Sequence, residues 1–174
     1  MCRFSNAGGA MGIREQLREE IEATRLAFHA LADELRPEDW HKPTPNPNWD
    51  VSIMMFHMTV ATNYLPADVA MIRRLNIVIY PPAFIFNPFT EFVTRNGSRR
   101  YTLDTIAQAY DKANTQTLKA LDSVNDNEWH KSAIFPGYDP MLSGRVTIKG
   151  LFHYVSRHFE LHAAEIRQSV AESD

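Results

Sequence analysis

Cysteine is almost absent from this chain. The only one is Cys2, so no internal disulfide and no cysteine-built metal knuckle can form, which fits a reducing compartment. Surplus charge is scarce too. A formal net charge of −3 and a pI near 6.2 give no broad basic field, which argues against nucleic acid and anionic membranes as partners. No apolar run approaches the roughly 20 residues of a membrane span. The opening segment MCRFSNAGGAMG lacks the apolar core of a secretory signal. The expectation is a soluble, cytoplasmic protein. Helical patterning begins near Met11, so residues 1–10 read as a tail and residues 11–172 as one domain. The 174 residues, 44% of them hydrophobic and 22% charged, suffice for one packed core.

Four segments carry apolar residues spaced three and four apart, the period of an amphipathic helix. Met11 to Leu35 supplies Leu17, Ile21, Thr24, Phe28, Leu31 and Leu35, and Pro37 stops it. Val51 to about Leu75 supplies Ile53, His57, Val60, Tyr64 and Met71, with Asp50 as N-cap and a kink or break expected at Pro66. Leu103 to Val124 is the most regular, with Ile106, Tyr110, Ala113, Thr117 and Leu121. Thr147 to about Val170 supplies Ile148, Phe152, Val155, His158, His162 and Ile166. The predicted fold is all-α, a four-helix bundle with a long crossover between helices 2 and 3.

That crossover, residues 76–100, holds Pro81, Pro82, Pro88 and Gly97, which argue against one continuous helix there. Its aromatics Tyr80, Phe84, Phe86, Phe89 and Phe92 read as core or interface, with a lid over one end of the bundle as the sharper alternative; exposed aromatics would favour a homodimer. A weak internal repeat pairs ALADELRPEDWHK, then VSIMMFH, with ALDSVNDNEWHK, then VTIKGLFH. Trp40 and Trp129 read as anchors at equivalent ends of the bundle, and His41 and His130 as exposed turn residues. The same repeat sets His153 against His57.

Histidine placement carries the chemistry. His158 and His162 stand four apart, about 6 Å along a helix and only about 40° round beyond a full turn, so both rings project from one face. That face is the apolar stripe, since Val155 precedes and Ile166 follows. His57 interrupts a second stripe in the same way. Three imidazoles converging in one bundle make a metal site with open positions; the alternative is three core histidines satisfied by hydroxyls, carbonyls or water. His153, about 140° round the helix from His158, should point elsewhere. Glu165 shares the face of His158 and His162, where it would serve as an outer acceptor, a fourth ligand or a general base, unless it is only a solvated helix-end glutamate.

The segments WDVSIMMFH, TLDTIAQAYD and LFHYVSRHFELHAAEI resemble the second, third and last helices of the DinB/YfiT family of four-helix metal-binding proteins. The likeness covers most of residues 11–170; the aromatic crossover departs from it. The three metal-binding histidines of the family fall on His57, His158 and His162. The resemblance implies a divalent metal ion and a transferase joining a low-molecular-weight thiol to a small electrophile, with Tyr64 and Glu165 as candidate pocket groups; imidazole ligands suit zinc and nickel alike. Two other readings stay open: non-catalytic binding or sequestration of a small molecule or metal, and metal-dependent hydrolysis through an activated water.

Overall fold

The computed structural model describes residues 11–172; the tail expected over residues 1–10 lies outside them. The four patterned segments are helices at close to the expected bounds: α1 (Ile13–Glu34), α2 (Val51–Leu75), α4 (Leu103–Ser123) and α5 (Ile148–Ala171). Asp50 caps α2 by accepting the Ile53 N–H at 2.9 Å, and Thr147 caps α5 by accepting that of Gly150 at 3.0 Å; each satisfies an amide the helix leaves orphaned. In the bundle, α1 and α2 each pack on both α4 and α5. Among the described residues, no helix is long and apolar enough to cross a membrane.

Three expectations are corrected. The crossover contains a fifth helix, α3 (Ala83–Ser98), with Pro88 inside it. Pro81 and Pro82 precede that helix, where their fixed backbone is tolerated, and Pro88 removes only one internal hydrogen bond. The α3 helix lies against α2, so close at its end that a Cβ on Gly97 would collide with the Phe56 ring. Second, the fold is mostly helical but not wholly so. Residues 132–147 form an antiparallel hairpin, β1 (Ser132–Pro136) and β2 (Ser143–Thr147), with Ser132 opposite Thr147. Gly137 and Gly144 supply its positive φ angles, 76° and 68°.

Third, of the kink or break expected at Pro66, the break is absent: α2 runs through the proline. The proline leaves the Thr62 carbonyl without its usual donor four residues on. The hydroxyl of Thr117, from α4, donates to that carbonyl at 3.1 Å, so a neighbouring helix restores the lost bond.

The core falls into two apolar clusters. One gathers Leu17, Ile21, Leu65, Ile72, Leu121, Trp129 and Phe152; the other gathers Phe28, Leu31, Trp40, Met55, Ile106 and Phe159. Between them each helix carries buried polar residues: Thr24 on α1, Thr62 on α2, Asn114 and Thr117 on α4, Ser156 and His158 on α5.

Trp40 and Trp129 do anchor equivalent turns, one in each cluster. Each follows a single 3₁₀ turn, residues 37–39 and 126–128. The carbonyls of Trp40 and Lys42 accept the N–H groups of Ser52 and Val51, and those of Trp129 and Lys131 accept the N–H groups of Lys149 and Ile148. This register sets Val51 against Ile148, and therefore His57 against Tyr154 rather than His153.

Candidate metal centre

His57 comes from α2, and His158 and His162 from adjacent turns of α5, at the polar layer between the two apolar clusters. The Nε2 atoms converge. That of His158 lies 3.1 Å from His57 Nε2 and 3.2 Å from His162 Nε2, and all three lie within 4.8 Å of one another. Zinc–imidazole bonds of about 2.0–2.1 Å would set two such nitrogens about 2.9 Å apart at a right angle and about 3.4 Å apart at the tetrahedral angle. The two separations at His158 therefore match those of a ligand shell, and the third is within 4.8 Å.

Hydrogen bonding alone does not account for this cluster. A carboxylate oxygen of Glu165 lies 2.6 Å from His162 Nδ1. A neutral ring must donate from that nitrogen, which leaves Nε2 as a bare lone pair. His158 Nε2 faces two nitrogens and can serve only one of them as donor or acceptor. His57 Nδ1 is buried with no partner at all. Burial, together with the neighbouring His162, pushes His57 down to about 3, and burial with both neighbouring rings pushes His158 well below the ordinary histidine value. Both rings are therefore neutral at physiological pH, the state in which imidazole binds a metal. A cation among the three lone pairs would resolve the crowding.

The surroundings hold the rings in place. The Trp49 ring packs on His57 with centroids 4.5 Å apart, and its backbone carbonyl accepts both the N–H and the hydroxyl of Thr44, at 3.1 and 2.9 Å. Asp139, at the hairpin tip, brings Oδ2 to 3.9 Å from His158 Nε2. Its two oxygens are fixed separately: Met141 N–H donates to Oδ1 at 2.7 Å and the Tyr154 hydroxyl to Oδ2 at 2.6 Å. Burial and Asp139 push Tyr154 well above its usual value, so it keeps its proton and remains a donor.

His57 also lines an apolar cavity of about 360 Å³ between α2, α3, the hairpin and α5, within the range of small-molecule sites. Tyr64 is on its wall but is 51% exposed. The crossover aromatics divide: Tyr80, Phe86 and Phe89 line the cavity, Phe89 while largely exposed, whereas Phe84 and Phe92 are exposed and line neither the cavity nor a core cluster.

Glu165 contacts the His162 ring at Nδ1, the contact expected of an outer acceptor. His153 turns to α1, where Nδ1 meets Glu20 at 2.7 Å, away from the triad. His41 is exposed beside Asp50 and His130 is exposed. Of the row Ile53, Val60, Tyr64 and Met71, only Ile53 is buried, so the row as a whole is not the core stripe of α2. The buried row is Met54, Met55, Met58, Thr62, Leu65, Val69 and Ile72, and Val60, Tyr64 and Met71 face the cavity with His57. Because α2 is apolar on more than one face, periodicity alone does not choose between the rows.

Sequence reasoning missed Asp139, Tyr154 and the packing role of Trp49. Tyr154 had a signal, standing four residues before His158 on the same face. Asp139 had none, since an acid in a GYDP turn reads as an ordinary turn residue. No family model matches the chain, and no curated protein does.

Proposed function

We propose that His57, His158 and His162 hold a divalent metal ion, zinc or nickel, in an enzyme that joins a low-molecular-weight thiol to a small electrophile. The carrying observation is the convergence of three imidazole nitrogens, those of His57 and His158 held neutral by burial, beside an apolar cavity. The thiol rests on the resemblance to the DinB/YfiT family. Three ligands leave further positions for a substrate, and imidazole suits both metals. A bound ion would lower the pKa of an incoming thiol, so that it reacts as the thiolate at neutral pH.

The chain supplies the rest. Glu165 fixes the tautomer of His162. The Asp139 carboxylate is the acceptor for the thiol proton, with Tyr154 holding it at the site. The apolar wall takes the electrophile and excludes water. Sulfur forms the new bond to carbon while the leaving group departs with its electron pair. One observation favours a second reading: Asp139 is equally placed to take a proton from water, which would make the site hydrolytic.

Cobalt-substituted protein distinguishes the two. Titration with low-molecular-weight thiols should produce a saturable sulfur-to-cobalt charge-transfer band that the electrophile then discharges. The band should be lost in His57→Ala and retained in His41→Ala. Turnover that needs no thiol, with no such band for any thiol tested, would replace the transferase reading with the hydrolytic one.

A further inference from the structure

Among the described residues three carboxylates are buried: Asp39, Asp68 and Glu128. Two of them are balanced by cations. Asp39 pairs with Arg36 at 3.1 Å and Lys42 at 2.9 Å, and Glu128 pairs with Arg73 at 2.9 Å and Lys131 at 3.0 Å. Asp68, 6% exposed, has no cation at ion-pair distance among the described residues. Among those residues its only hydrogen-bond donor is the Tyr80 hydroxyl, 2.7 and 2.8 Å from its two oxygens. Buried carboxylates are normally paired because desolvating an unpaired charge is costly.

Asp68 faces the cavity beside the triad, whose wall contains no lysine and no arginine. The second carboxylate on that wall is Asp139. Aromatic rings supply much of the remaining surface. Tyr80 meets Phe86 and Tyr138 edge-on, with centroids 5.3 and 6.3 Å apart, and Phe86 lies 5.1 Å from Tyr138. The Tyr138 hydroxyl donates to the Pro81 carbonyl at 2.9 Å, which ties the hairpin tip to the segment before α3 and closes that side. Carboxylates and π-faces without a lysine or arginine attract organic cations and repel anions. The ion proposed at His57 would add positive charge at one end of the cavity, which Asp139 and a bound thiolate would offset, leaving Asp68 uncompensated with a neutral guest. Burial raises Asp68 to about 6, so it is mostly ionised at neutral pH.

We propose that this cavity binds a small, lipophilic organic cation, an alkyl- or aryl-ammonium compound, with its charge toward Asp68. The inference deepens the reading above by naming the class of the second substrate. It rests on that reading for the reaction but not for the binding.

The test uses the zinc-loaded full chain and two probes of matched shape, phenyltrimethylammonium and tert-butylbenzene. The quaternary nitrogen has no lone pair and cannot ligate the ion, so any preference reports the cavity. Calorimetric titration should show the cation binding about tenfold tighter than its neutral isostere. In Asp68→Asn, which keeps an acceptor for Tyr80, that preference should fall to about parity with zinc content unchanged. Equal binding of the two probes by the wild-type chain would overturn the inference without recourse to any variant, and so would a preference that survives in Asp68→Asn. A cation preference in protein that takes up no zinc would support the inference while removing the metal-dependent reading. Zinc uptake without the preference would do the reverse.

Discussion

Replacing His57 with glutamine should make the metal-free protein less sensitive to mild acid. In the folded chain His57 titrates near 3 because burial and the neighbouring His162 disfavour its charged form, whereas an unfolded histidine titrates near 6.5. A group depressed in this way contributes stability that is complete above about pH 6.5 and is lost as the pH falls toward 3. At pH 7.5 neither state is protonated. At pH 5 the unfolded chain has gained most of a proton and the folded chain almost none, which favours unfolding by about 2 kcal/mol. For a domain of this size that is a fall of about 4–8 °C in Tm. His158 is depressed in the same direction. Asp68, raised by burial to about 6, acts in the opposite sense, because its protonation between pH 7.5 and 5 favours the folded state. Both remain in the variant, and because the His57 ring is itself one cause of the depression at His158, the difference between the two proteins reports His57 together with that share. Thermal unfolding followed by circular dichroism in chelator, at pH 7.5 and 5, measures it. The wild-type chain should lose about 4–8 °C more than His57→Gln. Equal losses would show that His57 is not held neutral by burial.

Further outcomes test the site and its frame. His158→Ala should abolish tight divalent-metal binding by elemental analysis of dialysed protein, whereas His153→Ala, whose ring engages Glu20, should leave about one ion per chain; equal loss in both would contradict the helical-face geometry. Thr117→Val should cost about 1–3 kcal/mol in urea unfolding, because it strands the Thr62 carbonyl that Pro66 already leaves without a helical donor. Adding Pro66→Ala should recover part of that loss by restoring the amide, and strict additivity of the two changes would refute the coupling.

Much of the architecture was legible because helical periodicity is a local property. The stripes Leu17–Leu35 and Ile106–Val124 follow from residue spacing, and both are buried. Asp50 announces the start of α2 by its ability to accept an orphaned amide. The internal repeat likewise had a physical basis, since Asp39 and Glu128 each accept the N–H three residues before them in equivalent turns. The hairpin was hidden because it is short and only one of its strands carries buried apolar residues, Ala133 and Phe135. The α3 helix was hidden because a proline penalty is local, whereas its packing on α2 is not.

The sequence by itself determined that His158 and His162 share one face of a helix and that His153 does not, since backbone geometry dictates both. It also determined four of the helices. Only the tertiary structure decided how near His57 comes to that pair, because the packing of α2 on α5 sets the 3.1 Å separation and no spacing along the chain encodes it. The same holds for Asp139, brought to His158 by the turn of a hairpin, and for Asp68, whose lack of a counter-charge appears only once the cationic side chains have found other partners. Those features depend on which elements meet, and contacts between segments distant in sequence follow from the packing of the whole core rather than from the pattern of any one segment.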